Sequence, residues 1–388
     1  MQSSLEHPKR IWQVLGALLL LFGAFLDNLR GPLLPLISKD LGLNLADLGG
    51  FLAVGNLAAI LGTFLLIPLM QHLSERRTAM GAAFLLTLGW LAIRLSQLGF
   101  GSTALSLYFG LSTSLCGALS NIFVVRGTPL KDQPRMLSGQ QMMYGIGSML
   151  APLAVALVTS NQWPWSLLIV GMAPLALGLF LWIKFGLEEQ GPAPEQGGQR
   201  LTFDSMKLRV FLTFMGYVAS EVACSMWMAT YLSAKFDLSV EQSSPVTSGF
   251  FAVMMMTRLL CFFFASAKYR NLLMWASLII PAVVVTAVQL GGSFWLLPLA
   301  GCFGPFFPMY FSMVSRHYPD EWRSMSIWLI VSLQIALMAM NLGVGQLAEY
   351  LGSAKAYWFI PITLVFTLLL FYQLLKKLEP KAIQNTET

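Results

Sequence analysis

With 388 residues, 56% of them hydrophobic and only 11% charged, and a mean hydropathy of +0.68, the chain lies far outside the composition of soluble domains, where about a quarter of residues are charged. Its formal net charge of +6 does not point to nucleic acid, because the basic residues sit beside apolar runs and form no stripe interleaved with exposed aromatics. Lipid is the expected surroundings, and no nucleic-acid partner is expected.

The first ten residues are polar and end in Lys9-Arg10. The apolar run that follows is too long for a cleaved signal peptide and lacks a clear cleavage site, so it reads as a first membrane span. Apolar runs recur near 11–37, 46–70, 79–99, 103–125, 138–159, 164–187, 209–233, 246–267, 271–290, 294–315, 325–348 and 356–375. Each is long enough to carry a helix across about 30 Å of hydrocarbon. The longest hydrophilic interruption, Glu188 to Lys207 with Gly191-Pro192-Ala193-Pro194, has six spans before it and six after. The expected division is a six-helix bundle over 1–187, a linker over 188–207, and a second bundle with its tail over 208–388.

Orientation follows from Lys/Arg asymmetry across short loops. One set of loops holds Lys9, Arg10, Arg76, Arg77, Lys131, Arg135, Arg200, Lys207, Lys268, Arg270, Arg316, Arg323, Lys376 and Lys377, whereas the alternate set offers little beyond Lys39, Lys235 and Lys355. Both termini and the linker are therefore expected in the cytoplasm of a multi-pass protein of a bacterial inner (plasma) membrane. This pattern needs an even number of spans, in keeping with twelve.

Ionised side chains are costly inside a span and usually face a cavity or a partner. In the first span Asp27 and Arg30 are about 60° apart around a helix and can share a face. Asp27 is a candidate coupling site and Arg30 a candidate substrate ligand; the alternative is a structural bridge. Arg76 and Arg77 after the second span are candidates for gating. Arg94 and Arg126, near span ends, read as snorkelling anchors.

Asn121 in the fourth span and Gln140, Gln141, Tyr144 and Ser148 in the fifth offer hydrogen bonds to an uncharged polar solute, or equally to neighbouring helices. Gly147 and Pro152 allow close helix contact and a bend. Glu221 lies mid-way along the seventh span with no basic neighbour one turn away. It is a second coupling candidate, the alternatives being an interhelical bond or an ion pair with Arg258 of the eighth span. Arg258 itself reads as a gating or structural residue or an anion ligand. Trp227 and Tyr231, one turn apart, supply either an aromatic wall for a solute or packing; Asn341 in the eleventh span is a further candidate ligand.

The methionine runs Met142-Met143 and Met254-Met255-Met256 read as packing or lipid contact. Cys116, Cys224, Cys261 and Cys302 fall in apolar segments without metal-ligand spacing, so neither a disulfide nor a metal site is expected. There is no Walker-type loop and no catalytic triad, so neither a nucleotide-driven pump nor an enzyme is expected, and no cofactor.

The halves echo each other. Ser74-Glu75-Arg76-Arg77 after the second span corresponds in place to Ser266-Ala267-Lys268-Tyr269-Arg270 after the eighth, and Asp27 roughly to Glu221. Together with the span count, this resembles the major facilitator superfamily over nearly the whole chain. Gln141-Met142-Met143-Tyr144-Gly145-Ile146-Gly147 leading to Ala151-Pro152, Tyr217-Val218-Ala219-Ser220-Glu221 followed by Trp227 and Tyr231-Leu232, Thr257-Arg258, and Phe306-Phe307-Pro308 resemble its fucose permease branch, which includes sugar:proton symporters. The chain departs from the branch at Gly117, where the fucose permease has an acid, and at Tyr144, where asparagine is favoured. It also departs in the loop after the second span, which keeps only Arg76-Arg77 of the superfamily's glycine, acid and basic cluster.

The resemblance implies an all-α membrane protein, twelve transmembrane helices in two six-helix pseudo-symmetric bundles, and alternating access to a midplane cavity. It implies a small-molecule polar solute such as a sugar, protons as the coupling ion, membrane lipid as surroundings, and function as a monomer. An organic-anion carrier or exchanger using Arg30 with Arg258 or Arg126, an amphiphile efflux carrier suited to the many Phe, Met and Trp residues, and a non-transporting receptor stay open.

Overall fold

The structure, a computed structural model, describes residues 10–129, 133–187, 204–264, 269–318 and 321–384. Most of the 188–207 linker and the Ser266–Lys268 part of the repeated loop lie outside the described residues. Among the described residues every regular element is helical. Eleven helices are long and apolar enough to cross a membrane, and one bent pair makes a twelfth.

The spans are α1 (Arg10–Leu41), α2 (Leu45–His72), α3 (Glu75–Thr87 continuing bent into Gly89–Leu95), α4 (Thr103–Arg126), α5 (Gln133–Ser160) and α6 (Ser166–Gly186). The second half repeats the series as α7 (Ser205–Met226 and Met228–Phe236), α8 (Val240–Phe264), α9 (Arg270–Gln289), α10 (Phe294–His317), α11 (Trp322–Leu351) and α12 (Phe359–Gln384). Each of the twelve overlaps an apolar run of the sequence, and α5, α7, α8 and α12 extend past theirs by a turn or more.

Local chemistry explains several boundaries. Asn44 caps α2 by accepting from the Asp47 amide at 2.7 Å, while the Asp47 carboxylate accepts from the Asn44 amide at 3.2 Å; this reciprocal box satisfies two amides that have no partner inside the helix. Asp204 caps α7 in the same sense, accepting from the amides of Met206 and Lys207 at 2.8 and 2.7 Å. The bend in α3 is 47°, and its second arm begins at Gly89, where a Cβ would meet the Tyr108 ring at 3.0 Å. Tyr108 in turn donates to the Leu86 carbonyl at 3.0 Å, taking up backbone that the bend frees from the helix. In α10 the first half, Phe294–Phe303, winds as a tighter 3₁₀ helix around Pro298.

Packing carries the internal symmetry. In the first half α1 packs on α5, α2 on α4 and α3 on α6; in the second α7 packs on α11, α8 on α10 and α9 on α12. These pairs correspond under a shift of six spans. Between the halves α2 meets α11, α5 meets α8, and α1 crosses α7. Small residues make the close approaches: a Cβ at Gly49 would lie 2.9 Å from the Gly345 Cα, and one at Gly31 would lie 3.0 Å from the Met226 Cα. Gly147 serves α1 and α5 within the first half, since its Cβ would reach the Ala24 side chain at 3.0 Å.

Charged groups at the helix ends are held within each half. Arg126 at the end of α4 pairs with Glu75 at the start of α3 and lies 4.9 Å over the Trp12 ring. Arg76 donates to the Lys184 carbonyl at the end of α6. In the second half Lys207 pairs with Glu321.

Candidate substrate cavity

A cavity of about 790 Å³ lies between the halves, large enough for a sugar- or nucleoside-sized solute. On the first half its polar wall is Asn121 of α4 with Gln141, Tyr144 and Ser148 of α5. On the second half Arg258 of α8 faces them, above apolar surface from Phe251, Met254, Met255, Phe307 and Phe311. The cavity runs from Ser148 near mid-span down to Arg270 and Arg316 at the helix ends.

The opposite end is shut. Ser248 of α8 donates to the Met149 carbonyl of α5 at 2.9 Å, and the Leu45 amide at the start of α2 donates to the Glu349 carboxylate of α11 at 3.0 Å. Beside this last contact lies the Gly49–Gly345 approach. The helix faces that meet at each cross-half seam thus converge at one end and part at the other.

At the head of the cavity a chain of polar groups crosses from one half to the other. Glu221 Oε1 lies 3.5 Å from Arg258 Nη2, and Arg258 Nε donates to the Gly304 carbonyl at 3.2 Å. The Tyr217 hydroxyl, one turn before Glu221 on α7, donates to the Phe303 carbonyl at 3.4 Å. On the other side Asn28 Nδ2 donates to Ser148 Oγ at 2.9 Å, and the Tyr144 hydroxyl neighbours Asn28. Tyr144 of the first half and Arg258 of the second line the same cavity.

The candidate residues of the sequence therefore fall into three groups. Asn121, Gln141, Tyr144 and Arg258 line the cavity. Asp27 and Glu221 stand behind that lining, each held by an arginine: Asp27 by Arg30, whose Nε also donates to the Asp27 carbonyl at 3.2 Å, and Glu221 by Arg258. Arg30 itself is buried against Gly55 of α2, where a Cβ would meet its Nη1 at 3.3 Å. Trp227, Tyr231 and Asn341 are buried in the closed end: Trp227 Nε1 donates to Asn341 Oδ1 at 3.1 Å, and Tyr231 stacks on Tyr357 with ring centroids 3.9 Å apart. Gln140 turns from the cavity to donate to Ser120 Oγ at 2.8 Å. Gly147 and Pro152 belong to the frame of α5, and Arg76 and Arg77 to the first turn of α3.

Three contributors were not singled out from sequence. Tyr217 had a legible signal, since it precedes Glu221 by four residues and so shares its helix face. Arg270 and Arg316 were read only as marks of orientation; their entry into the cavity depends on how α9 and α10 end against each other, which one span at a time does not reveal.

A profile of the Major Facilitator Superfamily matches residues 16–331. The chain belongs to the Major Facilitator Superfamily. Its apolar helices make it a multi-pass membrane protein of that family. Among curated proteins it is 25% identical over 250 residues to a TsgA homolog of Buchnera aphidicola subsp. Baizongia pistaciae, a match spanning 62% of this chain and 60% of that relative's length. Among solved structures, the nucleoside transporter NupG superimposes with a TM-score of 0.72 at 16% identity, covering 95% of this chain and 99% of NupG. A bacterial homolog of the human lysosomal transporter Spinster, inward-facing and occupied, gives 0.70 at 11% identity, covering 96% and 97%. The E. coli fucose:proton symporter FucP gives 0.60 at 15% identity, covering 95% and 99%. These likenesses establish the twelve-helix fold.

Proposed function

We propose that the chain is a proton-coupled carrier of a small polar solute, sugar-like in its hydrogen-bonding, which works as a monomer by alternating access. The moving bodies are residues 1–187 and 208–388, with the linker and both termini in the cytoplasm of a bacterial inner membrane. The observation that carries this reading is the polar chain at the head of the cavity. Tyr144 of one half and Arg258 of the other line the solute space, with the Asp27–Arg30 pair in the first half and Glu221 held by Arg258 in the second.

Each acid–arginine pair lies within one half, so rocking of the halves changes the solvation of the pair, and a carboxylate that loses water when its side closes takes up a proton and releases its arginine. Coupling needs such a change of state. With positive loops placed in the cytoplasm, the present conformation is open inward and closed outward. Two fold relatives, a nucleoside transporter and a fucose:proton symporter, are in keeping with a polar ring in a cavity walled by Asn121, Gln141 and Tyr144.

The reading is tested by reconstituting the purified protein into liposomes and following uptake of labelled sugars and nucleosides with and without an imposed pH difference. The expected result is uptake above equilibrium only when the gradient is present. Equal uptake under both conditions, for every solute that is carried, overturns proton coupling.

A further inference from the structure

The intramembrane arginines first suspected of holding an anion all have acids. Arg30 is paired with Asp27, Arg126 with Glu75, and Arg258 with Glu221. Each acid offsets a charge that is otherwise expensive to keep away from water.

Arg270 and Arg316 are different. They come from the start of α9 and the end of α10, both line the cavity, and they are close enough for their charges to repel each other. Among the described residues Arg270 Nε makes a long contact, 3.5 Å, with Asn271 Oδ1. Among the described residues no carboxylate lines the cavity, and the nearby Glu321 is engaged by Lys207. Two cations facing one cleft raise the potential inside it and concentrate anions there. Their mutual repulsion is relieved when an oxyanion sits between them in charge-assisted hydrogen bonds. The neutral wall of Asn121, Gln141 and Tyr144 lies deeper, so a solute entering at this end meets the charges first and the hydrogen-bonding groups second.

We infer that the transported solute carries an anionic group, a carboxylate or phosphate, and that Arg270 and Arg316 receive it at the mouth of the cavity. The inference rests on reading the cavity as the solute site, and it narrows the solute from polar to polar and acidic. A phospholipid headgroup offers the same oxyanion chemistry, so the test must separate the two sources.

Inorganic phosphate serves as the probe, measured by equilibrium dialysis at constant ionic strength on full-length protein in nanodiscs of neutral phosphatidylcholine. Wild type is expected to bind phosphate saturably. The Arg270→Gln/Arg316→Gln double variant is expected to bind about a hundredfold more weakly, the loss of one charge-assisted bond from each arginine. Arg270→Lys/Arg316→Lys, which keeps the charges, is expected to retain most of the binding and shows that substitution there is tolerated. Absence of saturable binding in wild type, or equal binding by the glutamine variant, overturns the inference.

In a second arm the nanodiscs contain phosphatidylglycerol. Unchanged phosphate binding supports a soluble solute, whereas its abolition assigns the site to the headgroup and overturns the inference. No gradient enters this measurement, so its outcome is independent of proton coupling. A proton-coupled carrier of neutral solutes passes the flux test and fails this one, and an uncoupled anion carrier does the reverse.

Discussion

Replacing Glu221 by Gln is expected to abolish accumulation of solute against its gradient while leaving binding and downhill exchange in place. Glutamine keeps the approximate size and an acceptor for Arg258, but it can neither ionise nor take up a proton. In the wild type the carboxylate faces Arg258 at 3.5 Å, and coupling requires that this pair open in one part of the cycle. A pH difference of one unit across the membrane supplies about 1.4 kcal/mol per proton, enough for about tenfold accumulation of a neutral solute carried with one proton. The variant is expected to stop at equal concentrations inside and out.

Loss of the acid leaves Arg258 buried without its counter-charge, which costs stability. Glu221→Asp, which restores a titratable group, is therefore the companion variant and is expected to recover accumulation in part. Paired uptake and exchange assays on the same vesicles separate the two losses. Full accumulation by Glu221→Gln removes this residue from coupling, and equal loss of exchange and accumulation in a monodisperse preparation makes it a solute ligand instead.

The second large effect is expected at the closed end. Gly49 of α2 packs on Gly345 of α11 so tightly that a Cβ at position 49 would lie 2.9 Å from the Gly345 Cα. Gly49→Leu cannot be absorbed there without pushing the two halves apart. Overpacking of this kind costs about 1–3 kcal/mol. Because the strain exists only where the seam is shut, it should shift the conformational equilibrium about 5- to 150-fold away from the present state.

The variant should therefore show increased reactivity of a cysteine at Ala53, one turn deeper on the same face of α2 and buried in the wild type, toward an impermeant thiol reagent. The background would have Cys116, Cys224, Cys261 and Cys302 replaced. Gly50→Leu is the control, because a Cβ at Gly50 meets nothing within 4 Å. Unchanged labelling in Gly49→Leu, with transport intact, means the seam is not a gate.

Most of the fold was legible because lipid imposes a simple rule. Every span must be a helix with its backbone bonds satisfied internally, so the apolar runs of the sequence and the helices of the structure overlap from α1 to α12. Helix breaks at Leu88 and Trp227 were not legible, since neither position carries a proline and the bend depends on what packs against Gly89 and Asn341.

The candidate site was legible in kind more than in place. Asp27–Arg30 is a local pair three residues apart, and it formed as the helix period requires. Glu221–Arg258 joins two helices 37 positions apart in the chain, so the sequence offered it only as one alternative among several. Trp227 and Tyr231 have the residue types of a solute wall, yet in this conformation they fill the shut end. Nothing in their spacing distinguishes the two, because the same face of a rocking helix is cavity in one state and packing in the other.

The central claim, that solute and proton cross together, is tested most directly by adding solute to lightly buffered proteoliposomes loaded with a pH-sensitive dye, with no gradient imposed. The account predicts that a solute taken up by the wild type acidifies the vesicle interior as it enters, and that Glu221→Gln takes up the same solute without the acidification. Labelled solute entering wild-type vesicles with no accompanying proton movement would contradict it.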